Sequence, residues 1–360
     1  MPTNRWPDTR ILDLLGIQLP IIQAPMANVA FIDMAIGAAS AGALGSLACA
    51  SLAPDRLLRE VAGFRSEAKG PLNLNFFSHR RAATDPQAEA AWRNRLRPYY
   101  TELGITEDTN PAAGGRAPFD DAACANLEKL RPEIVSFHFG LPEKPLLDRV
   151  KAAGAKILSS ATTVEEALWL EAHGCHAIIA QGFEAGGHRG NFLHDDMATQ
   201  VGTMALVPQI VDAVKVPVIA AGGIADGRGI AAAFALGASA VQIGTAYLLC
   251  DEAHLSAPHR AALQTARDDS TVITNVFTGR PARGLRNRLI REAGPLSTDA
   301  PPFPDAAKAL APLRAQAEAA GSGDFSPMWS GQSAHLARPG SAAALTTRLA
   351  NEALECLSRL

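Results

Sequence analysis

The sequence lacks a long apolar run, because no uninterrupted stretch reaches the roughly 18 residues that a membrane-spanning helix requires. Its first ten residues are polar and contain two prolines, which argues against a secretory signal peptide. Aromatic residues are also few, at 6% of the 360 residues, whereas glycine is common at 30 positions. This composition excludes an integral membrane protein and favours close packing of helices on a sheet.

The sequence also lacks an excess of either charge, and its cysteines are not paired. The 33 basic and 36 acidic side chains give a formal net charge of −3, which provides none of the basic surface that nucleic-acid binding needs. No two cysteines form a CxxC pair, so neither a zinc site nor a disulfide framework is predicted. The five cysteines are Cys49, Cys124, Cys175, Cys250 and Cys356. A soluble, cytoplasmic α/β enzyme with reduced cysteines is therefore expected.

Short apolar runs bounded by glycine or proline alternate with longer stretches of helical period, a pattern typical of βα units in a parallel sheet. The predicted strands are residues 21–24, 43–47, 72–76, 134–138, 156–159, 177–180, 216–221 and 240–244. The predicted helices between them are residues 31–41, 54–65, 145–153, 164–173, 198–214 and 227–236. Eight strands with crossover helices predict a TIM-type (β/α)8 barrel, with a doubly wound sheet as the alternative.

Two segments interrupt this repeat and define the predicted domains. Residues 1–77 and 131–250 form the barrel, and residues 78–130 form a helical insertion after the third strand. The insertion has predicted helices at 89–100 and 122–130, separated by a loop at 110–115. Because it follows the carboxyl end of a strand, it is expected at the barrel mouth. Residues 251–360 form a C-terminal helical extension that is expected to complete the barrel surface, with helices near 306–320 and 342–357.

Polar and glycine-rich clusters follow the predicted strands, and in a barrel these strand ends meet at the rim that carries active sites. The ends of the last two strands have residues suited to a phosphate. Gly222 and Gly223 permit close approach of the main chain, while Gly244 and Thr245 open a helical stretch with free N–H donors. Taken singly, each of these glycines is better explained by a tight turn, and it is their combination at two neighbouring strands that favours phosphate binding. No GxGxxG fingerprint is present, so a Rossmann site is disfavoured.

One histidine stands out because small residues precede it on the loop that leaves the sixth strand. His188 follows Ala185, Gly186 and Gly187, and in this position an imidazole can reach a substrate near neutral pH. His138 ends the fourth strand, where a position in the barrel mouth and a hydrogen-bonded core position are both open. No HxxxH or HExxH spacing occurs, so no metal site is predicted.

Four motifs together resemble the nitronate monooxygenases, formerly called 2-nitropropane dioxygenases, which are TIM-barrel enzymes containing flavin mononucleotide (FMN). These motifs are QAPM at 23–26, SFHFG at 136–140, QGFEAGGHRG at 181–190 and GGIADGRG at 222–229. The resemblance extends over about residues 10–250 and includes the WSGQS loop at 329–333. With the long insertion, it is closest to the class I branch, which oxidises alkyl nitronates.

The resemblance implies an FMN across the barrel mouth and a catalytic histidine beside it. His188 matches the family's catalytic histidine, and His138 would line the substrate cavity. The cofactor contacts that it implies are Ala24, Pro25, Met26, Asn75, Gln181, Gly186, Gly187, Gly222, Gly223, Gln242, Ile243, Gly244, Thr245 and Gln332. The implied reaction uses O2 to convert a nitronate, such as propionate 3-nitronate, into an aldehyde or oxo acid and nitrite. A substrate carboxylate would need a cationic partner, for which Arg189 and the cations of the insertion are candidates, and the sequence does not identify which.

Two other functions remain open at this level. An FMN-dependent NAD(P)H oxidoreductase, acting on a quinone or an enoyl thioester, shares the glycine and histidine loop on the same barrel. A ligand-binding barrel without turnover is the alternative from a different class, and the histidine beside the expected flavin argues against it. A homo-oligomer is compatible with the sequence, which does not fix the oligomeric state.

Overall fold

The computed structural model describes residues 6–81, 83, 85–106 and 117–359, and its centre is a closed parallel barrel. The barrel strands are β1 (Ile21–Gln23), β2 (Gly45–Ala48), β3 (Leu72–Phe77), β4 (Ile134–His138), β5 (Lys156–Ala161), β6 (Ala177–Gln181), β8 (Val218–Ala221) and β9 (Ala240–Ile243); β7 (Gly187–His188) lies outside. Their order is β1-β9-β8-β6-β5-β4-β3-β2. A parallel bridge between Ile22 and Leu44 joins β1 to the chain entering β2. The predicted (β/α)8 barrel is confirmed, and the doubly wound alternative is wrong.

Helices follow the barrel strands and also fill the C-terminal region. They are α1 (Arg10–Leu15), α2 (Ile32–Ser40), α3 (Pro54–Glu67), α4 (Pro86–Glu102), α5 (Asp121–Leu130), α6 (Lys144–Ala152), α7 (Val164–Ala172), α8 (Thr203–Ala213), α9 (Gly227–Ala235), α10 (Ala257–Gln264), α11 (Arg288–Ala293), α12 (Ala306–Ala319) and α13 (Ala342–Leu357). The helix predicted at 198–214 begins later, at Thr203, because the Glu184 carboxylate accepts the Thr203 N–H at 2.8 Å and caps the helix there. Within the described residues, no helix is both long and apolar enough to cross a bilayer.

The barrel interior changes from apolar to polar along the strands. Helix α1 closes the amino-terminal end with Ile11 and Leu15, which pack against inward-facing strand residues in one buried cluster. Because side chains alternate along a strand, residues two positions further on face inward as well, nearer the carboxyl ends. The apolar residues Ile134, Leu158, Ile179 and Ala240 are thus followed by Ser136, Ser160, Gln181 and Gln242, which line a cleft. This alternation places polar side chains at the mouth.

Two helices outside the predicted barrel segments pack in its outer layer. Helix α5, which belongs to the predicted insertion, contacts α3 and α6 and is the outer helix between β3 and β4. Helix α13, which was assigned to the extension, contacts α9 and α2. The barrel surface therefore includes parts of both 78–130 and 251–360. The loop predicted at 110–115 lies outside the described residues.

Helix α4 packs against α12 in a separate apolar cluster formed with the C-terminal region. Trp92 and Leu96 of α4 are fully buried there against Leu313. The Trp92 indole N–H also donates to the Ala306 carbonyl at 3.2 Å. The insertion and the tail thus share one hydrophobic core, which the sequence pattern did not predict.

The C-terminal region also contributes two strands, β10 (Thr271–Thr274) and β11 (Ala282–Leu285). They form an antiparallel sheet in the order β10-β11-β7. In this sheet Ala282 pairs with His188 and Arg283 pairs with Gly187. The extension is predicted to be helical, and this sheet is not predicted because β11 pairs with β7, a two-residue strand far away in the sequence, which no local pattern encodes. Its consequence is that the tail is joined to the main chain of His188.

Candidate active site

A cleft opens at the carboxyl ends of the barrel strands, between the barrel rim and the C-terminal region. All but two of the residues predicted to form the site line this cleft. Those that line it are Ala24, Pro25, Met26, Asn75, His138, Gln181, Gly186, Gly187, His188, Gly222, Gly223, Gln242, Gly244 and Thr245. Segments far apart in the sequence therefore meet at one end of the barrel.

The two exceptions are Ile243 and Gln332. The Ile243 side chain is buried between the sheet and the helices, because it alternates with the inward-facing Gln242 along the strand. Only the Ile243 carbonyl is near the rim, where it accepts the Ala24 N–H at 2.8 Å. The Gln332 side chain is exposed, while its N–H donates to the Glu184 carbonyl at 3.0 Å. Its neighbours Gly331 and Ser333 line the cleft instead. Side-chain contacts from Ile243 and Gln332 to a ligand in the cleft are therefore not supported.

The ends of β8 and β9 present unpaired main-chain donors. Gly222 and Gly223 have φ values of +113° and +73°, a region that side chains rarely adopt. Among the described residues, none accepts a hydrogen bond from the N–H of Gly223 or Thr245. Thr245 Oγ1 accepts the Gly331 N–H at 2.8 Å, which leaves the hydroxyl proton to be donated elsewhere. This arrangement of N–H and O–H donors suits an anionic group such as a phosphate.

Glycine at position 186 allows the tail to close over the loop after β6. A Cβ on Gly186 would lie 2.5 Å from Gly331 N and 2.7 Å from the Ser330 carbonyl carbon, far inside van der Waals contact. Since Gly331 also donates to Thr245, the close approach of these two segments helps to hold the donors of the cleft in position. The small residues before His188 therefore have a packing role that their spacing alone did not reveal.

The His188 imidazole lies at the cleft wall and is surrounded by aromatic rings. Its Nε2 is 2.9 Å from the Thr278 hydroxyl. The ring centroids of Phe77, Phe303 and Trp329 lie 6.1, 5.4 and 5.5 Å from its own. The contact with Thr278 and these ring contacts hold His188 in a place where it can meet a ligand in the cleft.

The second predicted histidine, His138, has both ring nitrogens occupied by the protein. A carbonyl can only accept, so Nε2–H donates to the His188 carbonyl at 3.1 Å, and Nδ1 accepts from the Ser160 hydroxyl at 3.1 Å. Burial lowers the pKa of His138 to about 4. Gln181 Nε2 donates to the same His188 carbonyl at 2.9 Å. This geometry favours a role for His138 in positioning His188 over a role in proton transfer at neutral pH.

Arg189 is completely buried, and its donors are used within the protein. Its guanidinium donates to the carbonyls of Gly182 at 2.6 Å and Gln181 at 2.8 Å, and to Gln200 Oε1 at 3.0 Å. Burial lowers the pKa of Arg189 to about 10, so it stays cationic at neutral pH. This burial and these contacts do not favour Arg189 as the partner of a substrate carboxylate, and they assign its charge to fixing the loop after β6.

Several residues at the site were not predicted from the sequence. Phe77 and Ser160 lie two positions beyond the inward-facing Asn75 and Leu158, so strand alternation applied further along each strand would have found them. Thr278, Phe303 and Trp329 come from the tail. Only the WSGQS motif signals that this region reaches the site, because their contacts depend on how the tail folds back.

An unsatisfied acceptor lies in the cleft floor. Gln242 Oε1 is buried, and no hydrogen-bond partner for it occurs among the residues that the structure describes. Buried polar atoms are nearly always paired, so this oxygen indicates a ligand bearing an N–H or O–H group. In the same described part of the chain, no group of three His, Cys, Asp or Glu side chains is arranged to hold a metal ion.

A closed α/β barrel with an anion cradle and an enclosed histidine at its rim defines a TIM-barrel enzyme. The chain belongs to the nitronate monooxygenase family, whose model, described as "Nitronate monooxygenase", matches residues 8–352. It is 42% identical over 350 residues to a nitronate monooxygenase of Pseudomonas aeruginosa, which covers 95% of this chain and 98% of that protein. It is 40% identical to one of Paraburkholderia phytofirmans, covering 99% of this chain and 98% of that protein.

Two solved structures place this likeness in three dimensions. Nitroalkane oxidase from Streptomyces ansochromogenes superposes with a TM-score of 0.88 at 37% identity, covering 97% of this chain and 99% of that one. FabK from Thermotoga maritima superposes with a TM-score of 0.75 at 27% identity, covering 97% of both chains. The nitroalkane oxidase is the more similar of the two in both sequence and structure.

Proposed function

We propose that this protein oxidises alkyl nitronates with O2, using bound FMN, to give nitrite and a carbonyl product, which is an aldehyde or oxo acid from a primary nitronate and a ketone from a secondary one. The observation that carries the proposal is the meeting of a donor cradle at Gly223 and Thr245 with the His188 imidazole in one cleft. Membership of the nitronate monooxygenase family and the likeness to a nitroalkane oxidase support the same reaction class. Propionate 3-nitronate is the first substrate to test.

The residues of the cleft fit FMN. The unpaired N–H groups of Gly223 and Thr245, with the Thr245 hydroxyl, would hold its terminal phosphate. The unsatisfied Gln242 Oε1 would accept from the imide N–H of the isoalloxazine ring. The remaining contacts of the ring and its ribityl chain would come from Ala24, Pro25, Met26, Asn75, Gln181 and Gly186, which line the same cleft.

The bound FMN would supply an electron acceptor for the electron-rich nitronate and a route for those electrons to O2. The chain's own residues would bind and orient the substrate. His188 would donate a hydrogen bond to the anionic nitronate and compensate its charge. Phe77 and Trp329, which line the cleft beside His188, would exclude water from the substrate and so strengthen this interaction.

The test is O2 uptake and nitrite release by holoenzyme whose flavin has been identified by mass. We expect rapid turnover with propionate 3-nitronate and with propyl-2-nitronate, and little with NADH or NADPH. The His188→Asn variant should lose most of the nitronate turnover, because asparagine cannot carry the positive charge. If the enzyme oxidised NADH or NADPH with a quinone or an enoyl thioester and did not turn over either nitronate, the reductase alternative would be favoured instead. The likeness to FabK draws attention to this alternative.

A further inference from the structure

We propose that Thr278 is a positioning residue for His188, whose side chain it holds in the tautomer protonated at Nε2. This inference rests on the proposed function, since it concerns the histidine assigned to the nitronate. Thr278 lies about ninety positions after His188 in the sequence, and no motif points to it. The hydrogen bond between the two side chains, at 2.9 Å, is the starting observation.

The direction of this hydrogen bond follows from the second partner of the hydroxyl. Thr278 Oγ1 donates to the Arg280 carbonyl at 3.4 Å, and a carbonyl cannot donate in return. A hydroxyl has one proton, and the Arg280 carbonyl gives it an acceptor, which leaves the Thr278 oxygen able to accept from His188. This direction, which the proposal adopts, puts the proton of the neutral imidazole on Nε2.

Thr278 is held firmly enough to impose this choice. It is buried, in a turn where the Gly279 N–H donates to the Asn275 carbonyl at 2.7 Å. Gly279 has a φ of +84°, and a Cβ there would lie 2.0 Å from the Pro301 carbonyl oxygen, so the turn is closely packed. The Asn275 side chain is bonded twice to the main chain of Ser297, at 2.9 Å each.

The same segment also fixes the main chain of His188. Strand β11 pairs Ala282 with His188, and the Arg189 N–H donates to the Pro281 carbonyl at 2.9 Å. Residues 278–282 therefore hold both the backbone and the imidazole of His188. The rings of Phe77, Phe303 and Trp329 limit how the imidazole can turn, so the Thr278 hydroxyl acts on a ring that is already oriented.

The test compares two substitutions of Thr278 with a matched control. Thr278→Val keeps the shape but removes the acceptor, whereas Thr278→Ser keeps it. The control is Thr274→Val, the same change in the same segment, since Thr274 Oγ1 bonds to the Val276 N–H. We expect Thr278→Val to lower kcat for nitronates by about tenfold or more with little change in KM, and both Thr278→Ser and Thr274→Val to stay within about threefold of the wild type.

A spectroscopic measurement reads the tautomer without relying on activity. In the nitrogen NMR spectrum of holoenzyme labelled with 15N-histidine, the His188 signals are identified by their loss in His188→Asn. We expect a protonated Nε2 and an unprotonated Nδ1 in the neutral wild-type ring, and a mixture of tautomers in Thr278→Val. A wild-type ring protonated at Nδ1, or Thr278→Val kinetics equal to those of Thr274→Val, would overturn the inference. An inactive wild type with the expected spectrum would instead count against the proposed function.

Discussion

Replacing Gly186 by alanine tests whether the closure of the tail over the barrel builds the cofactor site. The added Cβ would meet the main chain at 2.5 Å from Gly331 N and 2.7 Å from the Ser330 carbonyl carbon. Both are backbone atoms, so relief requires the 330–331 segment to move. Overpacking of this kind costs about 1–3 kcal/mol. Thr245 Oγ1 accepts the Gly331 N–H, so this movement would disturb the group of donors to which the proposal assigns the FMN phosphate.

We therefore expect Gly186→Ala to weaken FMN binding by about tenfold to a hundredfold, since each 1.4 kcal/mol corresponds to a factor of about ten. The assay is titration of apoenzyme with FMN, followed by the quenching of flavin fluorescence. Gly70→Ala is the control, because a Cβ there meets nothing within 4 Å and its φ is ordinary. An unchanged Kd for FMN in a folded Gly186→Ala protein would refute the claim that this contact shapes the site.

Two further predictions follow from buried histidines. His138→Asn should lower kcat/KM by about tenfold but keep the shape of the pH profile of kcat/KM between about pH 6 and 9. The reason is that His138, with a pKa of about 4, does not titrate in that range. Disappearance of an ionisation between about pH 6 and 9 in the variant would contradict the positioning role. Burial lowers the pKa of His259 from 6.5 to about 4. Stability is therefore full above about pH 6.5 and falls as the pH drops toward 4, so His259 should cost about 2 kcal/mol of unfolding free energy at about pH 5. Urea unfolding at about pH 7.5 and at about pH 5 measures how much unfolding free energy is lost on acidification. This loss should be about 2 kcal/mol smaller in His259→Gln than in the wild type, and equal losses in the two proteins would contradict the assignment.

The barrel and its rim could be predicted from the sequence because the local sequence patterns there, apolar runs and glycines after helices, agree with the fold. Apolar runs such as 177–180 are long enough to mark strands, and Gly237 follows α9 with a φ of +91°, as a glycine after a helix should. Motifs at the strand ends then fixed which residues meet, since the carboxyl ends of parallel strands in a barrel share one rim.

The parts that could not be predicted depend on contacts between distant segments. The packing of Trp92 against Leu313, the pairing of Ala282 with His188 and the bond from Thr278 to His188 each join residues about ninety or more positions apart. No local period encodes such pairs. Strand alternation did contain unused signals, since besides Phe77 and Ser160 it separates the inward-facing Gln242 from the outward-facing Ile243.

The most direct test of the central claim is anaerobic mixing of holoenzyme with a nitronate, followed by the visible absorption of its flavin. Without O2, the electrons from the substrate have only the cofactor to receive them. We predict that propionate 3-nitronate or propyl-2-nitronate bleaches the flavin rapidly, that His188→Asn is bleached much more slowly, and that NADH and NADPH leave the spectrum nearly unchanged. Rapid bleaching by a pyridine nucleotide, with no response to either nitronate, would contradict the account.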